Sequence, residues 1–292
     1  MSTRIYINGT ITPPEDAKIS VFDRGFLYGD SVYEVMRSSG GHLVDLDRHV
    51  ARLGQSAQAL GLPLPERERI LDAVAKTLAA TDNDESYVRI VLTRGEGEVG
   101  LATDLAINPT LLVIAKPLVL PSDEMYRDGV KVRLVGVQRT SAKAVDPSVK
   151  SGNYLNNIMA LVEARKSGDY EAIMCDRDGW VAEGSSSNLF ILQAGRLRTP
   201  SLSVGLLAGI TRRRVLELAT ARGLEVEEGR LRPQEIRDAD EAFLTSSIRG
   251  ILPISYVDGE VIAAPESCPG QVTGQLMEDY EAFLASSSAR LP

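Results

Sequence analysis

Polar and apolar residues alternate on both sides of Asn8-Gly9 within residues 4–12. An Asn-Gly pair flanked in this way is a strong hairpin signal, so the chain is expected to open with two antiparallel strands. Ser39-Gly40-Gly41-His42 marks a second hairpin. From Asp47 the period changes: Val50, Leu53, Ala57 and Leu60 recur at steps of three and four, one face of a helix ending at Gly61. Ile70, Leu71, Val74 and Leu78 mark another helix. Residues 87–93 and 110–116 are β-rich runs that read as central strands of the same α/β unit, and Pro117 to Asp128 reads as a connection.

Beyond it, residues 130–137 alternate as a strand and 153–167 have a helical period. Ala172 to Cys175 is a strand that turns at Asp176-Arg177-Asp178-Gly179 into a return strand opened by Trp180. Strand side chains alternate, so Val181 and Glu183 are expected on one face of the return strand. Residues 210–222 read as a helix, 242–245 as a buried strand and 271–284 as a closing helix. The expectation is an α/β (α+β) chain with mostly antiparallel sheets: a small N-terminal α/β domain at 1–118, a linker at 119–129 and a large C-terminal domain at 130–292.

Composition narrows the partners. A chain of 292 residues, 43% hydrophobic and 25% charged, can bury a sizeable core. Its formal charge of −8 argues against nucleic acid and anionic membrane, both of which need clustered basic surface. Apolar runs such as Leu111 to Ala115 fall far short of the ~20 residues that span a bilayer. Nothing near Met1 has the pattern of a signal peptide, so a cytoplasmic location is expected. Cys175 and Cys268 read as ordinary thiols, and His42 and His49 lack ligand spacing, so no metal is expected.

The stretch Asp146-Pro147-Ser148-Val149-Lys150-Ser151-Gly152-Asn153-Tyr154 sets Lys150 in a polar, Gly-containing break just before a periodic segment. A protonated lysine is a poor nucleophile, but partial desolvation or a neighbouring cation lets such an amine form a Schiff base with a carbonyl. Pyridoxal phosphate is the commonest such carbonyl. Taken alone, a loop lysine is simply a solvated one, and only its surroundings overturn that reading.

Those surroundings are distinctive. Lys150-Ser-Gly-Asn-Tyr154-Leu-Asn-Asn, followed by Glu183-Gly-Ser-Ser-Ser-Asn188-Leu-Phe, resembles the fold-type IV pyridoxal-phosphate aminotransferases. That family includes branched-chain aminotransferases, D-amino acid aminotransferases and aminodeoxychorismate lyases. The similarity runs from about Ile5 to about Gly259, with motifs in the family's order. It implies a two-domain fold with the active site between domains and pyridoxal 5'-phosphate as cofactor. It also implies a homodimer in which partner loops complete each pocket. The reaction implied is transfer of an amino group from a small-molecule donor to a 2-oxo acid acceptor, with Lys150 as the catalytic residue.

The resemblance also assigns site residues. Glu183 would keep the cofactor's ring nitrogen protonated, and Tyr154 would lie near its phenolic oxygen. Tyr154 also follows Lys150 by four residues, on the same helical face if the helix has begun there. Phosphate contacts would come from the Ile210 and Thr211 amides at a helix N-terminus, the Thr211 hydroxyl, Arg52 in His49-Val-Ala-Arg52-Leu53, and Ser247. Ala208 replaces the family's proline before Gly209. Tyr87-Val-Arg89 resembles the pair that helps hold the substrate carboxylate in branched-chain enzymes, with the Ser247 and Ile248 amides as further donors. Tyr28, Tyr33 and Arg37 match pocket positions, and Arg249 stands where branched-chain enzymes have small residues, as a candidate to reshape the pocket or accept a second carboxylate. Singly, each has a plainer reading as a core tyrosine, a solvated arginine, a surface strand glutamate, a turn serine or a helix cap.

On Tyr87 and Arg89 the favoured substrates are L-branched-chain amino acids. Val35-Met36 is closer to the D-amino acid enzymes, which keeps D-amino acids or (R)-amines as the alternative, with aminodeoxychorismate lyase chemistry third. Three rivals come from other classes, one of them a non-catalytic pyridoxal-phosphate carrier or structural dimer module in which Lys150 would be idle. Gly95-Glu-Gly97-Glu-Val-Gly100 spells the GxGxxG of dinucleotide-binding enzymes, but Asn108-Pro109 and the lack of helical period after it spoil the context. A serine hydrolase using Ser148 or Ser151 with Lys150 lacks the nucleophile elbow.

Overall fold

The structure, a computed structural model, describes residues 1–262 and 267–286. Two compact units make it up: Met1–Val119 joined by Val149–Asn153 and by the described residues from Leu284, and Leu120–Ser148 with Tyr154–Phe283.

The first unit contains β1 (Arg4–Ile7), β2 (Thr10–Thr12), α1 (Arg24–Tyr28), β3 (Ser31–Ser39), β4 (His42–Leu43), α2 (Leu46–Ala59), α3 (Arg67–Ala79), β5 (Ser86–Thr93) and β6 (Thr110–Pro117). Its strands form one antiparallel sheet in the order β2-β1-β6-β5-β3-β4. Both expected hairpins form, with Ile7 paired to Thr10 and Ser39 to His42, and with positive φ at Asn8, Gly9, Gly40 and Gly41. Positive φ at both central residues is what a two-residue type I′ loop requires. One sheet face is core, where Val32, Met36, Ile90 and Val113 cluster with Leu53 of α2 and Val74 of α3. Burial of each such side chain stabilises by about 1.5–3 kcal/mol. Tyr33, Arg37, Tyr87 and Arg89 alternate onto the other face.

The second unit contains α4 (Asp123–Asp128), β7 (Val130–Leu134), α5 (Leu155–Arg165), β8 (Glu171–Cys175), β9 (Val181–Gly184), β10 (Asn188–Gln193), β11 (Arg196–Pro200), α6 (Ile210–Ala221), β12 (Glu225–Gly229), α7 (Pro233–Arg237), β13 (Glu241–Ser246), β14 (Gly250–Val257), β15 (Glu260–Val261) and α8 (Gln271–Ser286). The sheet order is β12-β11-β10-β13-β14-β7-β8-β9, with β15 on β14. Parallel pairs at β11/β12, β14/β7 and β7/β8 make it mixed. Phe190 and Phe243, directly opposite on β10 and β13, stack with centroids 5.1 Å apart in the core. Cys175 and Cys268 are free, and burial pushes both thiols up to about 11, so neither is a ready nucleophile.

Three boundaries differ from the sequence pattern. α4 lies inside the stretch read as a connection, because Met125 and Tyr126 pack on the second core. β7 stops at Leu134, whose N–H turns to the Asp258 carboxylate, while Gly136 N donates to Glu163. α5 begins at Leu155, after the Val149–Asn153 stretch has left for the first unit. Among the described residues no helix is long and apolar enough to cross a membrane.

Candidate active site

In the first unit the stretch carrying Lys150 runs antiparallel beside β3. Ser151 bridges Val32, Tyr33 N donates to Lys150 O at 2.9 Å, and Gly152 N donates to Ser31 O at 2.8 Å. Ser56 of α2 accepts Lys150 N at 3.1 Å. These main-chain bonds hold the side chain over β3, with Lys150 Nζ 4.6 Å from the Tyr33 ring centroid. The Arg89 guanidinium lies 4.0 Å from the same centroid. Each contact of this type contributes about 0.5–2 kcal/mol, more when desolvated. Arg37 lies opposite Tyr87 across β3 and β5, so Tyr33, Arg37, Tyr87 and Arg89 share one face with Lys150 above Tyr33. A face of cations and aromatic rings beside an amine suits a carboxylate-bearing organic molecule.

Behind that face sits a residue the sequence reading missed. Glu34, between Val32 and Met36 on the apolar side of β3, is fully buried. Arg52 grips it through Nε at 2.7 Å and Nη2 at 2.8 Å, and His49 Nδ1 lies 2.7 Å away. Burial pushes the Glu34 carboxyl up, but Arg52 and His49 outweigh it and hold it at about 2. Arg52 and Ser56 are one turn apart on α2, so this helix fixes both an arginine of the expected phosphate group and the backbone of Lys150.

The second unit assembles the other expected residues. Glu183 is buried on β9; its Oε1 accepts from Arg139 Nε at 2.7 Å, and its Oε2 from Leu207 N at 3.1 Å and Asn188 Nδ2 at 3.4 Å. Asn188 Nδ2 also donates to Leu207 O at 3.0 Å, so the loop entering α6 is tied to Glu183. A Cβ at Gly209 would overlap the Asn188 carboxamide oxygen, which keeps that approach close. Gly209 is the N-cap of α6 and no side chain caps the helix; Thr211 is its second residue and is buried rather than capping. The Ile210 and Thr211 amides therefore stand at an end where N–H groups seek an anion.

Ser247 and Ile248 form the tip of the β13–β14 turn, half-buried, and Arg249 is bound to Ser246, Glu171 and Ser186. Tyr154 is the N-cap of α5, and Ser151 to Asn153 are not helical, so the four-residue spacing from Lys150 does not place the two side chains on one helix face. The Tyr28 hydroxyl accepts Gly100 N at 3.1 Å.

The rival motifs serve other ends. No α-helix opens after Gly95-Glu-Gly97-Glu-Val-Gly100, only a single 3-10 turn at Thr103–Leu105; a Cβ at Gly95 would strike the Asn108 carbonyl oxygen and one at Gly97 the Leu105 carbonyl oxygen, so these glycines let a loop fold on itself. Ser148 Oγ donates to Asp146 at 2.7 Å.

Comparison with known proteins bears on these constellations. The family model described as "Amino-transferase class IV" matches residues 31–257. A putative branched-chain-amino-acid aminotransferase of Methanocaldococcus jannaschii is 38% identical over 95% of this chain and 95% of its own length. D-alanine aminotransferase of Bacillus licheniformis is 30% identical over 98% of this chain and 99% of its own. The solved branched-chain aminotransferase of Thermoproteus uzoniensis, with norvaline, superposes with a TM-score of 0.90 at 30% identity, covering 99% of this chain and 97% of that one. The chain thus belongs to the class IV aminotransferase family, whose chemistry is pyridoxal-phosphate-dependent transamination.

Proposed function

We propose that this aminotransferase moves the amino group of an L-branched-chain amino acid to a 2-oxo acid, with pyridoxal 5'-phosphate held at Lys150. The observation that carries the reading is the shared face of Tyr33, Arg37, Tyr87 and Arg89 with the Lys150 amine beside Tyr33. The donor set fits the cofactor. Glu183 is a buried carboxylate for the ring nitrogen, the Ile210 and Thr211 amides are open to a phosphate, and the Gly209 approach is one that a Cβ would fill. Arg52 adds a fixed cation.

Bound pyridoxal phosphate supplies an electron sink for the pair left at the substrate's α-carbon. The remaining chemistry belongs to the chain. Glu183, kept in place by Arg139 and Asn188, would face the ring nitrogen and keep its proton there. Arg89 would bind the substrate carboxylate, the Ser247 and Ile248 amides would add donors, and Lys150 Nζ would take the α-proton as general base and give it back as general acid. A homodimer belongs to the same reading, supported by large apolar side chains left exposed in the first unit, among them Phe26, Leu101 and Ile107.

A second reading, transamination of D-amino acids, draws on Arg37 as an alternative carboxylate partner on the same face and on the D-alanine aminotransferase relative. Single half-reactions separate the two. Yellow enzyme mixed with L-leucine should bleach and release the 2-oxo acid, and D-alanine should leave it unchanged. Bleaching by D-alanine alone would replace the first reading with the second. Lys150→Ala should keep the fold and lose turnover; steady-state transamination by that variant would remove Lys150 from the reaction.

A further inference from the structure

The sequence leaves Arg249 two roles, reshaping the pocket or gripping a second carboxylate, and its contacts decide between them. We propose that Arg249 is a positioning residue, a clasp joining the turn after Glu183 to the turn that carries Ser247 and Ile248, and that it does not read a carboxylate on the substrate's side chain. The Asn188–Thr245 pair joins adjacent strands β10 and β13, so the Ser185–Ser187 and Ser246–Arg249 turns leave the sheet at the same end.

Glu171 is the centre of the clasp and is 1% exposed. Its Oε1 accepts from Ala172 N at 3.0 Å, Ser185 N at 3.1 Å and the Ser185 hydroxyl. Its Oε2 accepts from Ser186 Oγ at 2.9 Å, Ser187 Oγ at 3.2 Å and Arg249 Nη1 at 3.3 Å. Arg249 Nη2 donates to Ser186 O and Oγ, both at 3.0 Å, and Nε to Ser246 Oγ at 3.0 Å. The Arg249 carbonyl oxygen accepts from the Tyr126 hydroxyl at 2.9 Å.

Every nitrogen of the guanidinium is thus committed to the protein. Turning it toward a ligand would strip a buried carboxylate of its charged partner and release the Ser246 turn, a costly exchange for one new ion pair. Recognition of dicarboxylic substrates is therefore independent of Arg249. Only this selectivity part rests on the aminotransferase reading; the clasp does not.

The test uses Arg249→Met and Glu171→Gln, singly and together. Amide hydrogen exchange at 185–187 and 246–250 should accelerate about tenfold in either single variant, with the double variant close to the singles rather than their product. Pyridoxal phosphate should dissociate faster in parallel, and kcat/KM should fall by one common factor for L-leucine and L-glutamate. Unchanged exchange in Arg249→Met, or loss of glutamate about tenfold beyond that of leucine, would overturn the proposal. Should Arg249→Met fail to fold, Arg249→Lys serves: it keeps the cation but cannot span Ser186 and Ser246, so exchange should still rise, and unchanged exchange would again overturn the clasp. If wild-type enzyme transaminates neither amino acid, the functional reading falls while hydrogen exchange still decides the clasp.

Discussion

A carboxylate on the apolar face of a strand survives only if cations meet it there, and Glu34 is such a case. Val32 and Met36 flank it on the same face of β3, and Arg52 and His49 reach it from α2. Removing one member of a buried pair typically costs about 3–5 kcal/mol, because the partner stays buried and uncompensated. Glu34→Gln should therefore lower the melting temperature and loosen Arg52. The sign of the pH effect follows from the depressed carboxyl. Its stabilisation is complete above the ordinary value of 4.5 and is lost as pH falls toward about 2. Acid titration of wild type should show this loss, and in Glu34→Gln it should be shallower; an equally steep loss would remove Glu34 from the account. The sequence offers a signal for this residue, an acid at an apolar position facing a helix with two basic residues three apart. Arg139, which pairs with Glu183 from far away in the chain, leaves no such local trace.

At the scale of elements, local chemistry was legible wherever turn residues and periodicity agreed. The Asn8-Gly9 and Gly40-Gly41 hairpins and helices α2 and α3 follow directly from their residues. Elements set by distant partners were not legible. The start of α5 depends on Val149–Asn153 pairing with β3, and β10 and β14 each pair on one side with a strand remote in sequence, β13 and β7 respectively. The Gly95–Gly100 loop shows how one spelling serves two geometries. Gly95 has φ of 97° and packs on the Asn108 backbone, while Arg24 and Arg94 hold Asp30 and reach the carbonyls of Gly100 and Leu60. Burial pushes the Asp30 carboxyl up, but the two arginines outweigh it and hold it below its ordinary value. Gly95→Ala meets both a positive φ and a backbone clash, and should cost roughly 2 kcal/mol or more. Limited proteolysis within 95–107 reports it: faster cleavage than wild type is expected, and an unchanged rate would contradict the packing described.

For the whole molecule, each unit carries its own part of the expected chemistry: Lys150, Arg89 and Arg52 in the first, Glu183, Thr211 and Ser247 in the second. Motif order along the chain singled these residues out: Lys150 and Ser247 sit in a loop and a turn and Thr211 in the first turn of α6, while Arg89 and Arg52 lie mid-strand and mid-helix. Two partners behind them, Arg139 and Glu171, became visible only with the fold. On the proposed function, Lys150 is the lysine that holds the cofactor. Borohydride reduction of the holoenzyme followed by peptide mass mapping tests it most directly. A single pyridoxyl phosphate label is expected on the peptide containing Lys150, absent from Lys150→Ala. A label on another lysine such as Lys131 or Lys143, or an undiminished label in the variant, would contradict it.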